Sequence, residues 1–339
     1  MILKNNKAYV IAEIGHNHQG KIELAKKMFK SAKEAGASAV KLQKRNNKDL
    51  YTESFYNSLY DNKNSYGKTY GKHREKLEFG AKEFLTLKKV AKKLKLDFIV
   101  TPFDFSSVNF CKKIGIDAVK IASADLKNLP LQTKIAKMNK HIFLSTGGGN
   151  FKDIYEAYKN ITKINKRLSI LHCTASYPAK ISDLNLNVIK NLKKKYPKLV
   201  IGLSDHENGI DAATIAYMLG ARIFEKHFTL DRSNKGTDNA FSLEPQGLNK
   251  MIRNLNRIEK MLGDGNKKLL KSEIKPLFKM QKSIVAKSEI LKGKKIKMSM
   301  VTFKSPGGGL LPCDLKKIIN KVARKKIIKD ENILLKNVK

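Results

Sequence analysis

The chain has 339 residues with 41% hydrophobic content, room for one large domain and a small one. It has no apolar run near the roughly 18–20 residues a bilayer requires, which argues against a membrane-spanning helix. The net charge of +39 does not make a specific nucleic-acid reader: only eight of the 69 basic residues are Arg, the side chain direct base readout favours, and the lysines spread over every helix-like segment as solvated faces.

Residues 1–7 lead straight into a strand-like run and leave no room for a signal peptide, so a cytoplasmic protein is expected. Residues 9–14 read as the first strand. Residues 22–35 follow as a helix, with Leu24, Met28, Ala32 and Ala35 on one face. The pattern then repeats as strand and helix: 39–42 with 82–93, 98–101 with 107–114, 118–121 with 131–138, and 142–144 with 151–164. It continues as 168–171 with 186–196, 200–203 with 211–219, and 222–225 with 247–262. Eight such units over roughly 250 residues predict an α/β fold, a (β/α)8 TIM barrel. One connection, 44–80, is rich in Tyr, Asn, Lys and Gly and is too long for a simple turn. On a barrel it would lie over the C-terminal face, as a functional loop or a disordered one.

After Leu262 the pattern changes. The barrel domain is placed at 1–265, a polar linker at 266–282, and a small β-rich unit at 283–339. Within that unit, short strands around Gly/Pro turns and one helix over 314–322 are expected. Some 57 residues are marginal alone, so docking onto a partner surface is expected. Cys111, Cys173 and Cys313 are odd in number and lack Cys-x-x-Cys spacing, which reads as reduced cytosolic thiols.

The C-terminal strand ends of a barrel carry its chemistry. Here they hold Glu13, Lys41, Gln43, Thr101, Lys120, Ser123, Asp125, Ser145, Ser204, His206, Glu225 and His227. An unpaired ammonium inside an apolar strand is costly. Lys41 and Lys120, with the hydroxyls of Thr101, Ser123, Ser145 and Ser204, would hold a small phosphorylated acid. The competing reading pairs each lysine with an acid such as Glu13 or Asp125. A third makes one lysine a Schiff-base nucleophile, an aldolase. His206 and His227 end neighbouring strands. Two imidazoles with open positions suit an exchangeable divalent metal, Mn²⁺, Zn²⁺ or Co²⁺ and less often Mg²⁺, as Lewis acid. His16, His18 and His172 read as structural or supporting, His73 and His141 stay unassigned, and Gly147-Gly-Gly149 is a weak phosphate-loop signal.

Glu13-Ile-Gly-His-Asn-His-Gln-Gly20, Lys41-Leu-Gln43, Lys120-Ile-Ala-Ser123, Leu144-Ser-Thr-Gly147, His172-Cys-Thr-Ala-Ser-Tyr-Pro178, Gly202-Leu-Ser-Asp-His206 and Lys226-His-Phe-Thr-Leu-Asp231 resemble, in order along nearly the whole chain, the sialic acid synthase (N-acetylneuraminate synthase) family. Residues 283–339 resemble that family's C-terminal antifreeze-like (SAF) domain. The resemblance implies a barrel with an SAF cap in a domain-swapped homodimer, each cap closing the partner's active site. It implies condensation of phosphoenolpyruvate with N-acetylmannosamine, or with its 6-phosphate as in animals, to a nine-carbon 2-keto acid and phosphate. By position it implies that Lys41, Thr101, Lys120, Ser123, Ser145 and Ser204 bind phosphoenolpyruvate. His206 and His227 would hold the metal, Mn²⁺ first, with Mg²⁺ or Co²⁺ as alternatives. Glu13, Gln43, Asp125, Tyr177 and Asp238 would surround the sugar and the reacting carbons, with Glu13 handling protons.

Two positions depart from the bacterial pattern. Ser305 stands where bacterial caps commonly carry an Arg for the sugar's N-acetyl group, and Asp125 stands where they carry Glu. With Gly67-Lys-Thr-Tyr-Gly-Lys-His-Arg-Glu-Lys-Leu-Glu-Phe79 and Lys235-Gly-Thr-Asp238, both look closer to the animal-type branch. N-acetylmannosamine, its 6-phosphate and a diacetamido sugar of the legionaminic type all stay open as acceptor.

Overall fold

A computed structural model describes residues 7–339; the first six residues of the expected barrel domain lie outside the described residues. Two compact units form, dividing between Met261 and Leu262. In the first, the elements in chain order are β1 (Tyr9–Gly15), α1 (Ile22–Glu34), β2 (Ala39–Lys44), α2 (Asn47–Leu50), α3 (Glu53–Asn57), α4 (Tyr70–Leu77), α5 (Ala81–Lys93), β3 (Asp97–Pro102), α6 (Phe105–Ile114), β4 (Ala118–Ile121), α7 (Leu129–Ala136), β5 (His141–Ser145), α8 (Phe151–Thr162), β6 (Leu168–Cys173), α9 (Val188–Lys195), β7 (Val200–Asp205), α10 (Asp211–Met218), β8 (Ile223–His227) and α11 (Pro245–Leu262). The eight strands are parallel and close in sequence order, β8 pairing back onto β1. This is the predicted TIM barrel.

Strand alternation divides the side chains into two sets. One set faces the helices: Val10, Ala12, Val40, Leu42, Phe98, Val100, Val119, Ile121, Ile142, Leu144, Ile170, Ile201, Leu203 and Phe224 join the main core with the buried faces of the helices. On α1 the expected Met28 and Ala32, and Ala35 at its end, are buried and are joined by Ala25 and Phe29, with Leu24 only partly buried. The other set fills the barrel. Tyr9, Ile11, Ala39, Ile99, Ala118, Phe143, Leu171 and Ile223 pack there as a separate cluster. Gly202 belongs to that set because nothing larger fits: a Cβ would lie 2.5 Å from both the Ile223 carbonyl and Leu171.

The 44–80 segment is ordered. It folds into α2, α3 and α4, with Leu59 and Thr69 bridging antiparallel. Its tyrosines give it a core of its own. Tyr51, Phe55, Tyr60 and His73 pack around Tyr70 with ring centroids 4.6–6.2 Å apart, and Gly71 lies against the Tyr56 ring with no room for a Cβ.

The second unit holds α12 (Lys271–Met280) and an antiparallel pair, β9 (Ser283–Ala286) with β10 (Val301–Lys304). Single bridges such as Ile290 to Ile327 and Ala323 to Val338 close it around Ile284, Ile296, Ile318, Ile327 and Ile333. Two expectations are corrected here. The stretch read as polar linker is helical over α12, its Leu270, Ile274, Leu277 and Phe278 recurring at helical spacing and exposed. The helix expected over 314–322 is a short 3-10 helix, Pro312–Lys317, capped at Ile318. Asn320, in the left-handed region at φ 66°, turns the chain beyond it and donates its N–H to the Ile296 carbonyl.

Candidate active site

The inward set of strand residues changes character along the barrel. At the N-terminal end it is apolar; two residues further along each strand it becomes Glu13, Lys41, Thr101, Lys120, Ser145, Cys173, Ser204 and Glu225. A cavity of about 820 Å³ opens above these side chains. It brings together Glu13, Lys41, Gln43, Thr101, Lys120, Ser123, Ser145, Tyr177, Ser204, His206, His227 and Asp238. Two expected members are not in its wall. Asp125 is buried and turned into its own loop, accepting from Asn128 Nδ2 at 2.9 Å. Ser305 belongs to the second unit, where its hydroxyl donates to the Met280 carbonyl.

The floor is an ion cluster. Lys41 lies 2.7 Å from Glu13 and 3.8 Å from Glu225, and Lys120 lies 2.7 Å from Glu225. Lys41 also donates to Thr101 Oγ1 at 3.1 Å, Ser204 Oγ donates to Glu225 at 3.0 Å, and Gln43 Nε2 donates to Glu13 at 2.7 Å. Unpaired ammoniums awaiting an anion are therefore not what the barrel contains; each lysine has its own carboxylate, and for Lys120 it is Glu225 rather than Asp125. Burial alone would raise the Glu225 carboxyl, but Lys120 and Lys41 outweigh it and hold the group well below the usual carboxylate range. Burial likewise pulls Lys41 down, and Glu13 and Glu225 more than reverse it, so Lys41 stays an ammonium. Ser145 Oγ, fully buried, has no partner. Ser123 Oγ accepts from the Gly147 N–H at 3.1 Å, and a Cβ on Gly147 would meet that hydroxyl at 2.7 Å.

At the β7 and β8 ends, the His206 and His227 rings lie 5.4 Å apart between centroids, with Tyr177 4.2 Å from His206. His206 Nδ1 is 2.8 Å from the Thr174 carbonyl, which places the proton on Nδ1 and leaves the Nε2 lone pair free. Burial, then the charge of His227, pushes the His206 imidazole down to about 3, so it is neutral at physiological pH. His227 Nδ1 is buried without a hydrogen-bond partner, 3.6 Å from Asp238. His206 Nε2 and His227 Nδ1, neither hydrogen-bonded among the described residues, fit a divalent cation. Among the described residues no third His, Cys, Asp or Glu completes a metal-holding group with them, so a cation there would have two imidazoles as its protein ligands.

The cavity wall also contains His16, Arg45, Arg74, Cys173 and Glu225, which the strand-end reading either set aside or did not reach. Glu225 stood among the strand-end residues but was given no role, and Cys173, read only as a reduced thiol, was in phase with its strand, two residues on from Leu171. Arg74 comes from α4; it stood in the Gly67–Phe79 string but was given no role there. His18 stacks on Phe79 at 4.1 Å, and His172 bonds the Leu184 carbonyl at 2.6 Å; neither lines the cavity.

Several buried histidines make stability fall in mild acid. Burial, then His16, holds His18 at about 3. Burial, then Arg167, holds His141 at about 4. In the unfolded chain both take a proton near 6.5. Between about pH 6.5 and 4 the unfolded state thus binds more protons, and each group removes up to about 1.4 kcal/mol per pH unit as the pH falls. Denaturant titrations should show unfolding free energy declining from pH 7 to 4.5, with a shallower slope in His18→Gln. A flat profile over that window would contradict the neutral burial of these rings.

Comparison with known proteins agrees with this picture. Residues 28–267 match the NeuB family and residues 281–339 the SAF domain. The chain is 34% identical to human N-acetylneuraminate-9-phosphate synthase, over 96% of this chain and 91% of that protein. It is 38% identical to N,N'-diacetyllegionaminic acid synthase of Campylobacter jejuni, over 96% and 99%. The crystal structure of N-acetylneuraminic acid (sialic acid) synthetase from Leptospira borgpetersenii, in complex with citrate, superposes with a TM-score of 0.70 at 35% identity, covering 81% of this chain and 94% of that one.

Proposed function

The chain belongs to the NeuB family of sugar-acid synthases, and on that premise we propose that it condenses phosphoenolpyruvate with an N-acetylhexosamine-type acceptor to a nine-carbon 2-keto acid, releasing phosphate. N-acetylmannosamine, its 6-phosphate and a diacetamido sugar of the legionaminic type are the acceptors to compare. One observation carries the reading: a single cavity holds Lys41 and Lys120 with the hydroxyls of Thr101, Ser123, Ser145 and Ser204 beside two imidazoles with free nitrogens. A second substrate class, a Schiff-base aldolase, needs a neutral lysine, and the carboxylates that keep Lys41 an ammonium count against it.

In the reaction, C3 of phosphoenolpyruvate forms a bond to the acceptor's aldehyde carbon and the aldehyde oxygen takes up a proton. Water adds at C2, the bond from C2 to the phosphate oxygen breaks, and the keto acid and inorganic phosphate result. Lys41 and Lys120, with Thr101, Ser123, Ser145 and Ser204, hold the phosphoenolpyruvate. The unpartnered Ser145 hydroxyl has a hydrogen bond to give. Glu13, fixed between Gln43 and Lys41, carries protons to and from the reacting oxygens. His206 and His227 would hold a divalent cation, Mn²⁺ first, which supplies Lewis-acid polarisation of the aldehyde when bound. Asp238 stands beside His227, and Tyr177 covers His206. A domain-swapped homodimer is part of the proposal. It would give the exposed apolar face of α12 a partner and bring Ser305 of a second copy to the sugar.

Phosphate release from phosphoenolpyruvate with Mn²⁺ and a panel of hexosamines and their 6-phosphates tests this. Release is expected with at least one acceptor, lost on chelation and restored by Mn²⁺. No release with any acceptor counts against the reaction, and activity indifferent to chelation counts against the metal. No helix among the described residues is long and apolar enough to cross a membrane, and the enzyme is proposed to work in the cytoplasm.

A further inference from the structure

The cavity contains more cations than its floor uses. Of those in its wall, Lys41 and Lys120 are matched by Glu13 and Glu225 at 2.7 Å, and Lys127 lies 3.3 Å from Asp153. Arg45 and Arg74 are the exceptions. Arg45 Nη1 lies 3.9 Å from Glu78 Oε1, a buried oxygen that accepts no hydrogen bond among the described residues and is 3.7 Å from His16 Nε2, while Glu78 Oε2 is taken by Lys44 at 2.8 Å and the Arg45 backbone N–H at 3.2 Å. Arg74 has no ion-pair partner among the described residues; its guanidinium donates to the Tyr70 hydroxyl at 2.8 Å, and Asp238 is the acid whose charge it feels.

Both guanidiniums converge on one imidazole. Arg45 Nη1 lies 3.1 Å from His16 Nε2, and Arg74 Nη1 lies 3.1 Å from His16 Nδ1. A neutral imidazole has one lone pair, and arginine only donates. So one of the two contacts is a hydrogen bond and the other sets an N–H against an N–H. Protonating His16 would remove the remaining acceptor, and burial together with the two arginines keeps it neutral. Arg45 is 8% exposed and packs on the Phe103 ring at 3.9 Å, so it cannot turn its charge out to water. Three cations, Lys44, Arg45 and Arg74, thus share the Glu78 carboxylate and the field of Asp238, an excess of positive charge.

We propose that Arg45 and Arg74 form a second anion subsite, which takes a phosphate monoester on the acceptor sugar. It rests on the synthase reading above and extends it to the acceptor's class. Paired guanidinium forks match a tetrahedral dianion with several oxygens. The subsite is separate from the lysine floor: Arg45 Nη2 donates to Gln43 Oε1 at 2.7 Å, and Gln43 in turn donates to Glu13. Gln43 therefore stands between the arginines and the lysine–glutamate cluster. Two anion regions in one cavity, with Gln43 between them, suit two anionic substrates. The acceptor's aldehyde end would face His206 and His227, and its phosphorylated end the arginines. This also gives the ordered 44–80 segment a task, since Arg45 opens it and Arg74 is on its α4.

Initial rates with phosphoenolpyruvate and either N-acetylmannosamine or its 6-phosphate test the assignment, in the parent and in Arg74→Met and Arg45→Met. The parent should favour the 6-phosphate at least tenfold in kcat/KM. In Arg74→Met the KM for the 6-phosphate should rise about 10- to 100-fold, the loss of one charged hydrogen bond, and the preference between the two acceptors should collapse. Arg74→Lys should recover part of it. The KM for phosphoenolpyruvate should move less than threefold; a loss falling there instead would assign the arginines to phosphoenolpyruvate and overturn the proposal. A parent preferring the unphosphorylated sugar, or an unchanged preference in the variants, would also overturn it. Calorimetric titration of parent and Arg74→Met with N-acetylmannosamine 6-phosphate separates this proposal from the reaction. Binding that weakens in the variant supports the subsite even if neither acceptor turns over, and no binding to the parent removes it. Arg45 is buried, so its variant is interpreted only if its circular dichroism and melting match the parent.

Discussion

His206→Ala and His227→Ala should each lower kcat by at least about 10³-fold, the loss of roughly 4 kcal/mol of transition-state stabilisation expected when a Lewis acid is no longer held at the carbonyl. The fold should tolerate both changes. Each ring projects from the end of its strand into the cavity, and neither forms part of the apolar clusters that hold the barrel. A cost near 1 kcal/mol would lower Tm by about 2–4 °C. Two measurements make the case independent of turnover. Mn²⁺ titration followed by electron paramagnetic resonance should show binding in the parent and none in the double variant. Tyr177, 4.2 Å from His206, provides a local ultraviolet absorbance signal that should respond to Mn²⁺ only when the histidines are present. A double variant as active as the parent would dispose of the metal reading and leave the phosphoenolpyruvate site untouched.

Glu225→Gln should destabilise the protein by about 3–5 kcal/mol, the range seen when one member of a buried charge cluster is removed. Glu225 is 2.7 Å from Lys120 and 3.8 Å from Lys41, all three side chains 4–5% exposed. Glutamine fills the same volume but leaves Lys120 without a counter-charge. The pH dependence of the parent carries the same signature. The Glu225 carboxyl titrates lower in the folded state than in the unfolded chain, so its contribution is fully present above the ordinary carboxylate range and is lost as pH falls through the depressed folded value. Urea titration of the variant, and of Glu225→Gln combined with Lys120→Met, distinguishes charge from shape. The double variant should recover much of the loss, because the unpaired ammonium is gone. A single variant as stable as the parent would mean that Lys120 is neutralised by something else.

Much of this protein was legible in its residues, and for a physical reason. A strand in a closed parallel barrel is buried on both faces, so eight short apolar runs, each followed by an amphipathic helix, leave few alternatives to the architecture seen. A polar residue at the end of such a run has nowhere to go but the barrel mouth. That logic located Glu13, Lys41, Thr101, Lys120, Ser145, Ser204, His206 and His227 from spacing alone. It failed where position depends on loops. Asp125 follows its strand by four residues against two for Ser123, and a 3-10 turn over Ser123–Asp125 sends it to Asn128 and away from the cavity. The 314–322 helix stops at Lys317 as a 3-10 helix, with Asn320 turning left-handed three residues on, and the α12 helix was obscured by its lysines.

What the residue order determined by itself was the pattern of short apolar runs and 3.6-residue helical spacing, and hence the barrel and the strand-end chemistry; the SAF-like second unit came from the resemblance of residues 283–339. What only the tertiary structure decided was pairing. No spacing rule joins Lys120 to Glu225, 105 residues away, or sets Arg45 and Arg74 on opposite nitrogens of His16. Electrostatic energy depends on separations of a few ångströms, and those are fixed by how barrel closure brings β8 beside β1 and how the 44–80 segment folds onto its own tyrosines. The lysines, read alone, called for an anion. In the folded chain their charge is met by glutamates, and the unmet charge lies on the arginines.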